Sequence, residues 1–157
     1  MTSLPTGPGT YVLVIGVAQP LELSVGALGR LSLRAGYYLY VGSALGGLAA
    51  RIGRHLRAAK RVLWHIDHLL AQGQVVEVWW RADAVRHECA WAEALRAWPA
   101  VVAHPAGFGA SDCACRTHLF YSATRPAHGV FLAHVGDQGP AERLLLDGRD
   151  AVVATGP

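Results

Sequence analysis

Two tyrosine tripeptides, Gly9-Thr10-Tyr11 and Tyr40-Val41-Gly42, are the first residues in this chain whose pattern suggests chemistry. A tyrosine inside a strand ordinarily packs against its neighbours, and either one alone would carry nothing more. The residues after the second tripeptide raise the interest of the pair. Arg51 and His55 stand four apart on a helical stretch and so share a face, with Arg54 beside them. A guanidinium suits bidentate contact with a phosphate and stabilises charge developing on it. An imidazole titrates near neutral pH and can pass a proton. Glu88 follows, one position from an apolar stripe through Val85, Cys89 and Ala92. A single carboxylate can anchor a hydrated Mg²⁺, which keeps several waters and takes substrate phosphate as a further ligand. The plainer alternatives are a solvated basic helix face and an ordinary surface glutamate.

Charge is unevenly spread. Seven of the 14 basic residues (Arg30, Arg34, Arg51, Arg54, Arg57, Lys60 and Arg61) fall between Ser24 and Ile66, where there is no acidic residue. The rest of the chain sets seven basic residues against all 11 acidic ones. Such a segment suits an anionic partner, phosphate backbones above all, and Arg51, Arg54, Arg57, Lys60 and Arg61 are its candidate nucleic-acid contacts. Arginine outnumbers lysine 13 to 1, so compositional bias is the competing account.

The elements that must position these residues are short. Thr10–Val17 reads as a buried strand, and residues 20–34 as a hairpin around Gly26 and Gly29. Gly36–Val41 reads as a strand ended by Gly42, and Val75–Trp80 as another. Helices are expected over Leu48–Arg57, with Leu48, Ile52 and Leu56 inward, and over Trp64–Ala71. A third is expected over Ala84–Trp98, with Val85, Cys89, Ala92 and Leu95 inward. His118–Ser122 reads as a short extended segment and Val130–Val135 as a strand, while the first nine residues read as a loose lead-in. The order predicts a small mixed α/β unit of the α+β type with a mostly antiparallel sheet.

In sequence order, Gly9-Thr10-Tyr11, Tyr40-Val41-Gly42, Arg51, His55 and Glu88 resemble the GIY-YIG nuclease superfamily. The stretches GYYLYVGSALGGL (36–48), WHIDHLL (64–70) and GFGASDCACRTHLFY (107–121) are similar to its DUF123, or "Uri", subgroup. The resemblance implies a three-stranded antiparallel central sheet flanked by helices, with residues 20–34 as an inserted hairpin. It implies a nuclease-like domain over 9–122 and leaves 123–157 as a C-terminal extension. It also implies a divalent-metal-dependent endonuclease acting on DNA, in repair or processing. Tyr11 would activate water, Tyr40 would orient water or phosphate, and Arg51 would stabilise the pentavalent phosphate. His55 would assist proton movement, and Glu88 would hold Mg²⁺ or Mn²⁺. The late Asn of many members has no counterpart, because the chain contains no Asn. Asp112 or His118 is the candidate substitute. A non-catalytic nucleic-acid-binding module of the same fold is the alternative.

Cys113, Cys115 and His118 form a C-x-C-x₂-H run that could hold zinc, with Cys89 or Asp112 as fourth ligand. The spacing is tighter than the usual finger and lacks a second half, so a loop packed near the site is preferred. Trp64 is expected to pack its helix, Asp67 to orient a His or Arg, and Trp79, Trp80, Trp91 and Trp98 to pack rather than stack bases. The 157 residues suit one domain, and an apolar share of 52% with 16% charged excludes a disordered chain. No apolar run reaches membrane length and the first nine residues lack a leader pattern, so a cytoplasmic protein is expected.

Overall fold

Residues 11–17 are apolar on consecutive positions, which suits a strand buried on both faces. Gly9–Val17 (β1) is that strand and lies inside a single sheet. The structure, a computed structural model, describes residues 4–57, 60–103, 108, 117–135 and 141–146. Gly36–Ala44 (β4) and Gln74–Ala82 (β5) pair antiparallel with β1 on either side. Leu119–Ser122 (β7) pairs with β4, Val102–Ala103 (β6) with β7, and Glu142–Leu145 (β8) with β5. The sheet therefore has six strands in the order β6-β7-β4-β1-β5-β8, not the three the resemblance implied. The added strands are two to four residues long, and their hydrogen-bond partners lie far away in sequence. β7 falls within the extended segment expected over His118–Ser122, whereas no local periodicity distinguishes β6 and β8 from loop. Leu21–Ser24 (β2) and Arg30–Leu33 (β3) form a separate two-stranded ribbon.

Side-chain alternation gives the sheet two apolar faces. Tyr11, Leu13 and Ile15 pack with Leu48, Ile52 and Leu56 of the helix Leu48–Leu56 (α1), and with Ile66 and Leu69 of His65–Leu70 (α2). Val12, Val14 and Trp79 face Trp91 and Leu95 of Glu88–Arg96 (α3), and Phe131 and Val135 of His128–Val135 (α4). On this second face Glu77 is buried and accepts bonds from Arg125 (2.8 Å), Arg143 (2.7 Å) and the Trp79 indole (2.9 Å). Trp79, Trp80, Trp91 and Trp98 are all core residues.

Two helices differ from expectation. α3 begins at Glu88 rather than Ala84, because Asp83 holds the preceding residues as a loop. Its carboxylate accepts the Val85 N–H (3.0 Å) and pairs with His87 Nε2 (2.8 Å), while the His87 N–H donates to Thr10 Oγ1 (3.1 Å). The inward residues are then Glu88, Trp91, Ala92 and Leu95, and Val85 and Cys89 are exposed. This phase shift turns Glu88 from a flank position to a buried one. α4 replaces the strand expected over Val130–Val135. Its β-branched and aromatic composition favours a strand locally, but burial of Phe131 and Val135, one helical turn apart, against Trp79 and Trp91 decides otherwise. The lead-in is not wholly loose either: the Pro5 and Gly7 carbonyls accept the Ala49 and Leu48 N–H groups and satisfy two orphan donors of α1. Among the described residues no helix is long and apolar enough to cross a membrane.

Candidate active site

Cross-strand register brings the two tripeptides together. Tyr11 pairs with Gly42 and Leu13 with Tyr40, so both phenols project from the α1 face as diagonal neighbours. Gly42 is required by this closeness: a Cβ there would overlap the Tyr11 hydroxyl and stand 2.5 Å from its Cζ. Ser43 pairs with Thr10 and faces the opposite way, toward α3.

The helix α1 supplies the next two residues. It starts at Gly47, whose φ of 124° favours glycine and whose Cβ would overlap the Thr6 carbonyl. Leu48, Ile52 and Leu56 anchor it, and this orientation turns His55 inward and leaves Arg51 at the cleft wall. Tyr11 Oη and His55 Nε2 lie 2.7 Å apart, sharing one proton. Burial pulls His55 down to about 3, with Asp67 opposing, so the ring is neutral. Burial pushes the Tyr11 phenol far above its ordinary range, and the charge and hydrogen bond of Arg51 offset this only in part. Tyr40 is raised likewise, by burial first and then by Tyr11 and Glu88. At rest the pair is therefore a neutral phenol on a neutral imidazole.

Glu88 enters from the other side. Its Oε1 accepts from Ser43 Oγ (2.5 Å) and from Arg86 Nη2 (2.9 Å) and Nε (3.2 Å), and its Oε2 lies 2.7 Å from His118 Nδ1. Burial pushes this carboxyl up, but His118, Ser43 and Arg86 outweigh it and hold Glu88 ionised, at about 2. Tyr11, Tyr40, Gly42, Ser43, Arg51, His55, Trp64, His65 and Glu88 all line one cleft of about 260 Å³. Among the described residues no three His, Cys, Asp or Glu side chains converge as a metal cage. A divalent ion would rest here on the ionised Glu88 carboxylate, a hard oxygen donor at the cleft wall, and that donor chemistry fits Mg²⁺ or Mn²⁺.

The candidate cations divide. Arg51 donates to the Ser43 carbonyl (3.0 Å) and lies 4.6 Å from the Trp64 ring centre. Arg54 does not face the cleft as a free cation. It makes a two-pronged bond to the buried Asp67 (3.0 and 2.9 Å) and a third to the Arg61 carbonyl (2.7 Å), and its guanidinium lies 4.1 Å from the Trp64 ring centre. Asp67 also accepts the Leu63 and Trp64 N–H groups at the start of α2. Lys60 donates to the His55 and Arg57 carbonyls, while Arg57 and Arg61 are exposed.

Several contributors escaped sequence reasoning. Ser43 sits in the quoted stretch but had no role assigned. Arg86 stands two residues before Glu88 and no motif marks it. Trp64, expected to pack its helix, instead forms part of the cleft wall and is 37% exposed. His118, named for zinc or as a substitute for the absent Asn, is fully buried against Glu88. Asp112, Cys113 and Cys115 lie outside the described residues. Ser43 reaches the site through its pairing with Thr10, a register that no local sequence pattern displays.

No curated protein and no solved structure matches the chain. The model of one family, described as a domain of unknown function, DUF123, matches residues 10–137. That span includes Tyr11, the second tripeptide, α1, Glu88, His118 and α4, so the cleft and most of its supporting sheet lie within it, and the chain belongs to the DUF123 family.

Proposed function

We propose that this protein is a divalent-metal-dependent endonuclease of the GIY-YIG type that hydrolyses DNA phosphodiester bonds, in repair or processing of DNA. The observation that carries the reading is the convergence of Tyr11, Tyr40, Arg51, His55 and Glu88, from two strands and two helices, on one cleft. These groups match the needs of phosphoryl transfer to water: an anion clamp, a proton acceptor and a seat for a metal.

Arg51 binds the scissile phosphate and stabilises the charge that accumulates on its equatorial oxygens. The Tyr11–His55 pair takes the proton from the attacking water. Both groups are neutral at rest, so the imidazole is in its proton-accepting form, and negative charge brought by a substrate would raise its basicity. Tyr40 lines the same wall and positions that water. The P–O bond opposite the water breaks, and the leaving oxygen is protonated from solvent. A metal held on Glu88, when bound, supplies Lewis-acid stabilisation of the leaving oxygen. Thr10 acts through α3: its hydroxyl accepts the His87 N–H and fixes the helix start that places Glu88.

The test is cleavage of labelled single-stranded and duplex oligonucleotides in Mg²⁺, Mn²⁺ and EDTA, with Glu88→Gln and Tyr11→Phe in parallel. Metal-dependent cleavage that falls at least about 100-fold in both variants is the expected result. Absence of cleavage by the wild-type protein, with salt-sensitive DNA binding retained, would replace this reading with a non-catalytic binding module.

A further inference from the structure

Glu88 Oε1 carries a cation of the protein's own. The Arg86 guanidinium reaches it through both Nη2 (2.9 Å) and Nε (3.2 Å), and Nε also lies 3.2 Å from Ser43 Oγ. The Arg86 side chain is 40% exposed while that of Glu88 is 6% exposed. The backbone around Arg86 is held independently, by Asp83 on one side and by the His87–Thr10 bond on the other. The side chain can therefore leave the carboxylate without moving the residues that place Glu88. Glu88 Oε2 lies against the buried His118, so a guanidinium and a divalent ion, both positive, would compete for Oε1.

We propose that Arg86 is a resident counter-cation on the Glu88 carboxylate, exchanged for the divalent ion when the metal binds. The idea rests on the metal-dependent reading above and deepens it. Arg86 keeps the buried carboxylate paired before the metal arrives and prevents the cost of an unpaired charge. On exchange it swings outward, toward the solvent to which its side chain is already partly exposed. Metal affinity is then set by a competition inside the protein, and Ser43 and His118 stay on Glu88 throughout.

The experiment is Mn²⁺ binding measured by calorimetry and by electron paramagnetic resonance, with no DNA present. The proteins are wild type, Arg86→Gln, Arg81→Gln and Glu88→Gln, each checked for an unchanged circular dichroism spectrum. Arg81 pairs with Asp83 and controls for loss of a nearby positive charge. The expected result is Mn²⁺ binding at least about tenfold tighter in Arg86→Gln, and within about twofold of wild type in Arg81→Gln. The Arg86 side-chain N–H resonance of the wild type should also move on adding Mg²⁺. If the wild type binds Mn²⁺ and Arg86→Gln binds it equally or more weakly, the exchange is refuted while the nuclease reading stands. An equal gain in Arg86→Gln and Arg81→Gln also refutes it, as a general charge effect. If neither wild type nor Arg86→Gln binds Mn²⁺ better than Glu88→Gln, both the exchange and the metal-dependent reading fall.

Discussion

Gly42→Ala tests the tightest part of the site. The new Cβ would lie 2.5 Å from Tyr11 Cζ and 2.9 Å from Cε2, with the hydroxyl closer still. Ordinary contact needs at least about 3.4 Å, so the ring must retreat by about 1 Å. Tyr11 is buried and its hydroxyl sits 2.7 Å from His55 Nε2, so a shift of that size stretches the bond beyond useful length. Overpacking costs about 1–3 kcal/mol and the lost bond about 1 kcal/mol. The sum of about 2–4 kcal/mol lowers Tm by about 5–15 °C for a domain of this size. A misplacement of about 1 Å in a catalytic group should also slow cleavage by about 100-fold. Gly46→Ala is the matched control, since a Cβ there meets nothing within 4 Å. Thermal unfolding and single-turnover cleavage would be measured on both. A Gly42→Ala protein that melts within 2 °C of Gly46→Ala, by the same scale, refutes the close-approach argument. One that melts low but cleaves at the wild-type rate refutes the role given to Tyr11.

The other predictions concern the surroundings of the cleft. The pKa of His55 lies near 3 when folded and near 6.5 when unfolded, so its contribution is complete above about pH 6.5 and lost as pH falls toward 3. Urea titrations should therefore show stability dropping by about 1.4 kcal/mol per pH unit between pH 6 and 4.5, with His128 adding in the same direction. A His55→Gln protein should lose about one proton's worth of that slope. Arg54→Ala strips the buried Asp67 of its bidentate partner and should cost about 3 kcal/mol, whereas Arg57→Ala at the exposed end of α1 should stay within about 0.5 kcal/mol. Equal urea midpoints for the two would show that Arg54 is not structural. Gly53→Ala places a methyl in open space in mid-α1 and should stabilise by about 0.8–1 kcal/mol in the same assay, without changing DNA binding.

Local pattern was sufficient for α1. Leu48, Ile52 and Leu56 recur at helical spacing, and burying that stripe leaves only one way for Arg51 and His55 to point. The β-branched run of β1 was equally legible, because it expresses a backbone preference that neighbours in sequence decide. α3 was legible as a helix but not in phase. Its start depends on Asp83 side-chain bonds and on Thr10 from another strand, and a shift of a few residues moves Glu88 from the flank of the helix to its buried face. α4 was misread because its composition favours strand and only Trp79 and Trp91, contributed by β5 and α3, reward the helix.

The sequence by itself determined the chemical types at the cleft: two phenols, a guanidinium, an imidazole and a carboxylate. It also determined the helix that carries the middle pair. Tertiary structure alone decided which groups touch. Ser43 and Glu88 are 45 residues apart in sequence and 2.5 Å apart in space, and the Thr10–Ser43 register brings them together. The same closure assigned Arg54 to Asp67, Arg86 to Glu88 and three further strands to the sheet. The physical reason is that helix phase and strand alternation are local, whereas hydrogen-bond partners across a sheet and ion pairs across a cleft exist only after the chain has closed on itself.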